Sequence, residues 1–253
     1  MASSEAPQPT AADNGSSPHL APTESEPLLG RPGDAMQKPD DRLIKNLWLG
    51  TAPLAQLGIL VLTLLVLTAV ATHPLYPLVS PHPILQALGL FTLTQAILIL
   101  QPTHTPTAKL LGQRAHAALH LLSFLLFAAG VSVIEANKIV SNGEHFHSLH
   151  GYLGVLTASS LVIQYLFGFA MWAVPAVFGG VEQAKAKWKY HRYAGYGVFV
   201  LALATVLSAV ETPYNKAGLE IKMWSAGLAV ALVVVGVFPR VQLAKLGIQG
   251  RAR

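Results

Sequence analysis

Ala52-Pro53-Leu54-Ala55-Gln56-Leu57-Gly58-Ile59-Leu60-Val61-Leu62-Thr63-Leu64-Leu65-Val66-Leu67-Thr68-Ala69-Val70-Ala71 carries no charge, and it lies within a longer stretch, Asn46 to Ala108, without one Asp, Glu, Lys or Arg. A bilayer core about 30 Å thick takes roughly 20 apolar residues per helix, and this run supplies them. Working outward, His145 to Val181, Tyr193 to Val210 and Ser225 to Pro239 are equally free of charge. The same yardstick predicts an all-α membrane protein of six spans: about Trp48 to Ala71, Pro83 to Leu100, Arg114 to Ala136, His150 to Trp172, His191 to Val210 and Trp224 to Pro239. Composition agrees, since 52% of the 253 residues are apolar and only 11% charged, against about 25% charged in soluble domains.

The net charge of +5 could suggest nucleic acid as a partner, but its distribution argues otherwise and no nucleic acid is expected. Lys and Arg concentrate in the N-terminal tail, the loop from Gln101 to His116, the segment from Val181 to Arg192 and the C-terminal tail; the alternate loops hold Lys138, Lys216 and Lys222. That alternation is the positive-inside pattern, which puts both termini in the cytosol. Trp48, Trp172 and Trp224 sit at span ends, where interfacial aromatics belong. The division expected is a disordered cytosolic tail over residues 1–45, a membrane domain over 46–240 and a basic cytosolic tail over 241–253. The first 45 residues are polar and do not read as a cleavable signal peptide. Within them Glu24-Ser25-Glu26-Pro27-Leu28-Leu29 resembles an acidic dileucine sorting signal, which favours an endomembrane, vacuolar or endolysosomal, over the plasma membrane. The absence of cysteine excludes disulfides, thiolate iron–sulfur clusters and covalent haem attachment.

With charges gone from the spans, histidines remain. An ionisable residue inside a membrane segment is expensive and points to function. His82, His116, His120, His150 and His191 fall in four consecutive spans, the second to the fifth. With a cytosolic N-terminus, His82 and His150 each open a helix on the outer side, and His116 and His191 each open one on the cytosolic side. Two facing imidazoles can ligate one haem iron from its two axial positions, and bundle cores hold such cofactors. The reading is therefore two b-type haems, one between His82 and His150, the other between His116 and His191.

His150-Gly151-Tyr152-Leu153-Gly154 and His191-Arg192-Tyr193-Ala194-Gly195 both read His-x-x-x-Gly. Residues at i and i+4 share a helix face, so Gly154 and Gly195 lie beside the ligands and let a flat macrocycle approach the backbone. Simpler readings apply elsewhere: His120 is read as an interhelical hydrogen-bond donor, and Gly89, Gly130 and Gly168 as close-packing residues. The alternative function is a histidine relay for proton or metal-ion transport without haem.

Ser80-Pro81-His82-Pro83-Ile84-Leu85, Arg114-Ala115-His116-Ala117-Ala118-Leu119-His120, Ser148-Leu149-His150-Gly151-Tyr152-Leu153-Gly154 and Tyr190-His191-Arg192-Tyr193-Ala194-Gly195 carry a resemblance to the cytochrome b561 family over about residues 74–211. The resemblance implies His82 and His150 on the non-cytosolic haem, His116 and His191 on the cytosolic one, and a transmembrane oxidoreductase. It implies electrons from cytosolic ascorbate or a related reductant, delivered to monodehydroascorbate or a ferric chelate, in the manner of a ferric reductase. A cationic cytosolic rim of Lys109, Arg114, Lys187 and Lys189 would attract the anionic reductant. The lipid bilayer and a second copy of the chain, as a homodimer, complete the expected partners. The chain departs from the family where many members have a further His after the third helix and this one has Asn137 and Lys138, and where it has Gln113 in place of a basic residue.

Overall fold

The computed structural model describes residues 35–38 and 40–247. The sorting-signal reading at Glu24 to Leu29, the tail before residue 35 and the last residues of the basic tail lie outside the described residues. Six helices form: α1 (Ala52–Ala71), α2 (Pro81–Leu100), α3 (Pro106–Ser141), α4 (Leu149–Ala173), α5 (Val181–Ala209) and α6 (Met223–Val237); with the 3-10 turn that carries α6 on to Arg240, each is long and apolar enough to cross a membrane. No strand occurs among the described residues.

Two helices start earlier than the charge pattern predicts. Helix α3 begins at Pro106 rather than Arg114 because Thr105 caps it, its Oγ1 accepting from the Ala108 N–H at 3.2 Å, while Pro106 pre-sets the first turn. Helix α5 begins at Val181 rather than His191, directly after Gly179 and Gly180, whose φ angles of +88° and +113° redirect the chain. At 36 and 29 residues these helices run to about 54 and 43 Å, well beyond a bilayer core of about 30 Å. Charge marks where a helix leaves lipid, not where it begins. His116 and His191 therefore do not open their helices; each is the eleventh residue.

The expected N-terminal disorder also gives way in its described part. Leu43–Leu47 make a 3-10 turn, and buried Gln37 donates its N–H to the Pro102 carbonyl at 3.0 Å. Asn46 Nδ2 donates to Ile99 O at 2.8 Å, meeting one of the carbonyls that the C-terminal turn of α2 leaves without an intrahelical partner. That demand for partners folds the segment.

The helices associate as α1 with α6, α2 with α3 and α4 with α5. Small residues bring α1 and α6 together: a Cβ at Gly236 would run into the Ala55 backbone, and one at Gly58 would lie 2.6 Å from Ala229 O. Such close approach, with Thr51 Oγ1 donating to Gly236 O at 2.8 Å, is what holds helices in lipid, where apolar side chains gain little from mutual burial. The aliphatic core draws Ile59 and Leu62 from α1, Leu90 and Leu98 from α2, Phe199 and Leu203 from α5, and Val233 and Val237 from α6. Among the described residues α3 adds only the half-buried Phe127 to its edge and α4 adds none, and the two helices touch each other little. The core thus lies to one side of the bundle, and the histidines line the other.

Candidate cofactor site

His82 and His150 are each the second residue of their helices, α2 and α4, and stand at the same end of the bundle. Their rings stand edge to face, with centroids 6.2 Å apart and planes at 78°. An imidazole nitrogen binds a transition metal at about 2 Å, so two rings sharing one metal have centroids about 6 Å apart. The pair has the spacing of two axial ligands.

The other ring nitrogens are already committed. His82 Nδ1 lies 2.9 Å from Gly130 O, His116 Nδ1 2.8 Å from Ala96 O, and His150 Nδ1 3.0 Å from Thr205 O. A carbonyl only accepts, so in each case Nδ1 carries the proton and donates it. In the neutral ring that leaves the lone pair on Nε2, the arrangement that orients a metal-binding histidine.

These contacts follow one rule. The residue that holds a histidine lies fourteen positions beyond another histidine on the partner helix, as His82 and Ala96 on α2, His116 and Gly130 on α3, and His191 and Thr205 on α5. Fourteen residues rise about 21 Å, which sets the spacing between the two histidine levels. Within α2 and α3 the arrangement is reciprocal: His82 donates to α3 and His116 donates back to α2. The rule places the partner of His191 at residue 164 on α4, and Gln164 is there.

Gln164 does the job differently. Its Nε2 lies 3.0 Å from His191 Nδ1 and 2.7 Å from His191 O; an amide nitrogen only donates, so Nδ1 of His191 accepts and Nε2 holds the proton. The His191 ring stacks at 18° on Phe167 with centroids 6.4 Å apart, and a Cβ at Gly168 would meet its Cε1 at 2.7 Å. Across from it, the His116 ring meets His120 at 4.1 Å. At this level the ring neighbour of His116 is His120 and that of His191 is Phe167.

The glycines sort accordingly. A Cβ at Gly154 meets nothing within 4 Å, while one at Gly195 meets Gln164 Nε2 at 2.9 Å; Gly154 leaves space and Gly195 makes room for the amide. Gly89 packs on the Phe127 ring and accepts from Ser123 Oγ at 2.8 Å, the close packing expected of it, whereas Gly130 and Gly168 touch the ligands themselves. His120 Nδ1 makes no interhelical hydrogen bond: it is buried without a partner, as is the hydroxyl of Tyr165, whose ring lies 5.5 Å from it.

Lys109 and Arg114 lie exposed on the first turns of α3, and Lys187 and Lys189 on those of α5, at the His116–His191 end; Lys189 Nζ sits 5.0 Å over the Tyr190 ring. Three further cations at this end were not singled out by sequence. Arg240, 2% exposed, donates from Nη2 to Asn46 O at 2.6 Å and Leu98 O at 3.1 Å. Lys245 Nζ donates to Gln101 O at 2.8 Å and Thr103 O at 2.6 Å, and Arg192 Nη1 donates to Lys245 O at 2.6 Å. Burial drives the Lys245 ammonium down to about 7, with repulsion from Arg192 and Lys109 adding to it.

Comparison with known proteins meets this geometry. The family model described as eukaryotic cytochrome b561 matches residues 81–215, a span that contains all four clamped histidines. A lysosomal membrane ascorbate-dependent ferrireductase of Bos taurus is 28% identical over 132 residues, 51% of this chain and 49% of that protein. A probable ascorbate-specific transmembrane electron transporter of Oryza sativa subsp. japonica is 32% identical over 128 residues, 49% and 52% of the two chains. A transmembrane ascorbate ferrireductase of Arabidopsis thaliana is 27% identical over 130 residues, 51% and 55%. The chain spans about half the length of the curated relatives it matches.

Proposed function

Because this chain belongs to the cytochrome b561 family, we propose that it is a transmembrane oxidoreductase that carries electrons across a bilayer through two b-type haems. His82 and His150 hold one haem and His116 and His191 the other. The observation that carries this reading is the His82–His150 pair, with centroids 6.2 Å apart and both Nδ1–H groups pinned so that Nε2 of each is free. A haem held by these histidines would supply a one-electron carrier.

The residues of the chain do the rest. Carbonyls of Gly130, Ala96 and Thr205 fix three ring orientations, and Gly154 leaves the helix face beside His150 clear. The excess of Lys and Arg favours the His116–His191 end as cytosolic. There Lys109, Arg114, Lys187 and Lys189 form the cationic rim that draws in ascorbate or a similar anionic reductant. Monodehydroascorbate or a ferric chelate takes the electron at the opposite end. An endomembrane of lysosomal or vacuolar type is the setting, a reading supported by similarity to the lysosomal membrane ferrireductases of Bos taurus and Homo sapiens.

An absorption spectrum of the purified chain with and without ascorbate tests the proposal. The expected result is a b-type haem spectrum at two haems per chain, reduced by ascorbate. A colourless protein that moves protons or metal ions would sink it in favour of the histidine relay.

A further inference from the structure

At the His116–His191 end, α2 stops at Leu100, and its last carbonyls need partners from outside the helix. Pro102 sharpens that demand. It stands four residues after Leu98 and has no N–H, so it gives the Leu98 carbonyl no helical hydrogen bond. The residue that answers is Arg240, in the 3-10 turn that follows α6. Its Nη2 donates to Leu98 O at 3.1 Å and to Asn46 O at 2.6 Å, so one guanidinium ties the ends of α2 and α6 to the N-terminal turn.

Capping a carbonyl does not require a charge. The neighbouring Ile99 O is met by the neutral amide of Asn46 at 2.8 Å. Arg240 is 2% exposed, and a cation so buried is ordinarily matched by a carboxylate. Among the described residues it has no such match: the ion pairs there engage Asp41, Glu135, Glu182, Glu211 and Glu220 with other partners. Its Nε and Nη1 make no hydrogen bond to a protein group. The negative end of the α2 dipole is equivalent to about half an elementary charge, so much of the positive charge stays uncompensated and acts on what lies near.

What lies near is the clamp on His116. Ala96, whose carbonyl holds His116 Nδ1 at 2.8 Å, comes two residues before Leu98. Carbonyl oxygens two residues apart on a helix are separated by about 5 Å, which puts the guanidinium within about 11 Å of His116 Nδ1. His82 sits on the same helix about 24 Å from Leu98 along the axis. We propose that Arg240 sets the reduction potential of the haem held by His116 and His191 and makes it the readier acceptor at the end where electrons enter. This rests on the function proposed above. Reduction takes one electron from the reductant and lowers the charge of the haem by one, so a fixed cation nearby favours the reduced form.

Redox titration of the purified full chain with both haems tests this, with His82→Ala and His116→Ala backgrounds, each expected to keep one haem, assigning the two signals. At a fixed ambient potential near the midpoint, Arg240→Gln is expected to lower the ratio of reduced to oxidised His116–His191 haem roughly five- to tenfold. The other haem should move less than half as far on the logarithmic scale. Arg240→Lys keeps the charge and should stay within about twofold of wild type. Equal shifts of both haems, or no shift, overturn the proposal. So does a lysine variant that moves as far as the glutamine one, which would make Arg240 a cap and not a charge. Arg240→Met carries the same expectation without introducing a polar group, and serves if the glutamine variant loses haem; loss of haem in both leaves Arg240 a structural residue and sinks the proposal. A wild-type chain that binds no haem overturns the underlying function instead, before any variant is made.

Discussion

In the α2–α3 pair both histidines are held by backbone, His82 by the Gly130 carbonyl and His116 by the Ala96 carbonyl. In the α4–α5 pair one is held by backbone, His150 by Thr205 O, and the other by a side chain, His191 by Gln164. A backbone carbonyl can only accept, so it fixes one tautomer whatever residue contributes it. An amide offers a donor and an acceptor within a half-turn of each other, so the ring it holds can take either tautomer. Three ring orientations are thus preset by the fold, and the fourth is left adjustable by one residue. For His191 to bind iron through Nε2, its proton has to move to Nδ1 and Gln164 has to turn its oxygen toward it.

The most damaging way to break the comparison is to remove ligands. Replacing His82 or His150 with Ala is expected to reduce two haems per chain to one, measured as haem against protein. Replacing His116 or His191 should do the same and also abolish reduction of the remaining haem by ascorbate. Two haems retained in any of these variants would mean the pairing is wrong.

Gln164 comes next, because it should move one haem and spare the other. Gln164→Glu puts a carboxylate beside His191 that accepts strongly from Nδ1–H and favours ferric iron. A hydrogen bond to a charged group is worth about 1.5–3 kcal/mol, or about 60–130 mV on a one-electron couple. The potential of the His116–His191 haem should fall by about that amount in a redox titration, with the His82–His150 haem unmoved. A uniform shift of both would show that residue 164 acts through the general field and not through the ring.

The glycines sharpen the contrast at smaller scale. Gly195→Ala drives a methyl group into the Gln164 amide, only 2.9 Å away, and should reproduce a Gln164→Leu variant in potential and spectrum. Gly154→Ala meets no protein atom within 4 Å, so it should leave the fold and the α4–α5 contacts as they are; a bulkier Gly154→Leu should lower occupancy of the His82–His150 haem alone. Equal effects of the two alanine variants on the His116–His191 spectrum would remove the distinction drawn between the two motifs.

The six helices and the ends to which the histidines belong were legible in sequence because lipid leaves an unambiguous mark: charge disappears for about 20 residues at a time. The starts of α3 and α5 were not legible, since each helix begins before its first charged residue, Lys109 or Glu182, and runs on through the charged segment that follows. The clamps at Ala96, Gly130 and Thr205 leave no side-chain signal, because every residue has a carbonyl. Gln164 did have one, as an amide within an otherwise apolar span, and was passed over because only ionisable residues were counted. Gly195, read as making room for a macrocycle, also has the Gln164 amide beside it, a contact that requires knowing what packs against the helix. Lys245 was hidden by the positive-inside rule, which explains any cation in a cytosolic tail equally well.

The α4–α5 pair has one more hold that the α2–α3 pair lacks, and it yields the smallest of the expected effects. The segment Leu243–Leu246 lies across the residues that follow His191: Arg192 donates to Lys245 O at 2.6 Å and Tyr193 OH to Leu246 O at 3.1 Å, while Lys245 Nζ ties the segment to α2 through Gln101 O and Thr103 O. At pH 6 the Lys245 ammonium is charged whether the segment is docked or free, so the cost of covering that charge is present in full. Between about 7 and the ordinary value of 10.5 the docked lysine sheds its proton while a free one keeps it, so the free state binds more protons and docking strengthens as pH rises through that window. Amide protection factors over Lys245 to Gly247, which divide out the intrinsic pH dependence of exchange, should therefore be higher at pH 9 than at pH 6. Lys245→Met should flatten the difference. Protection equal at both pH values in the unaltered chain would mean that Lys245 keeps its proton when docked, and that the hold on α5 comes from Arg192 and Tyr193 alone.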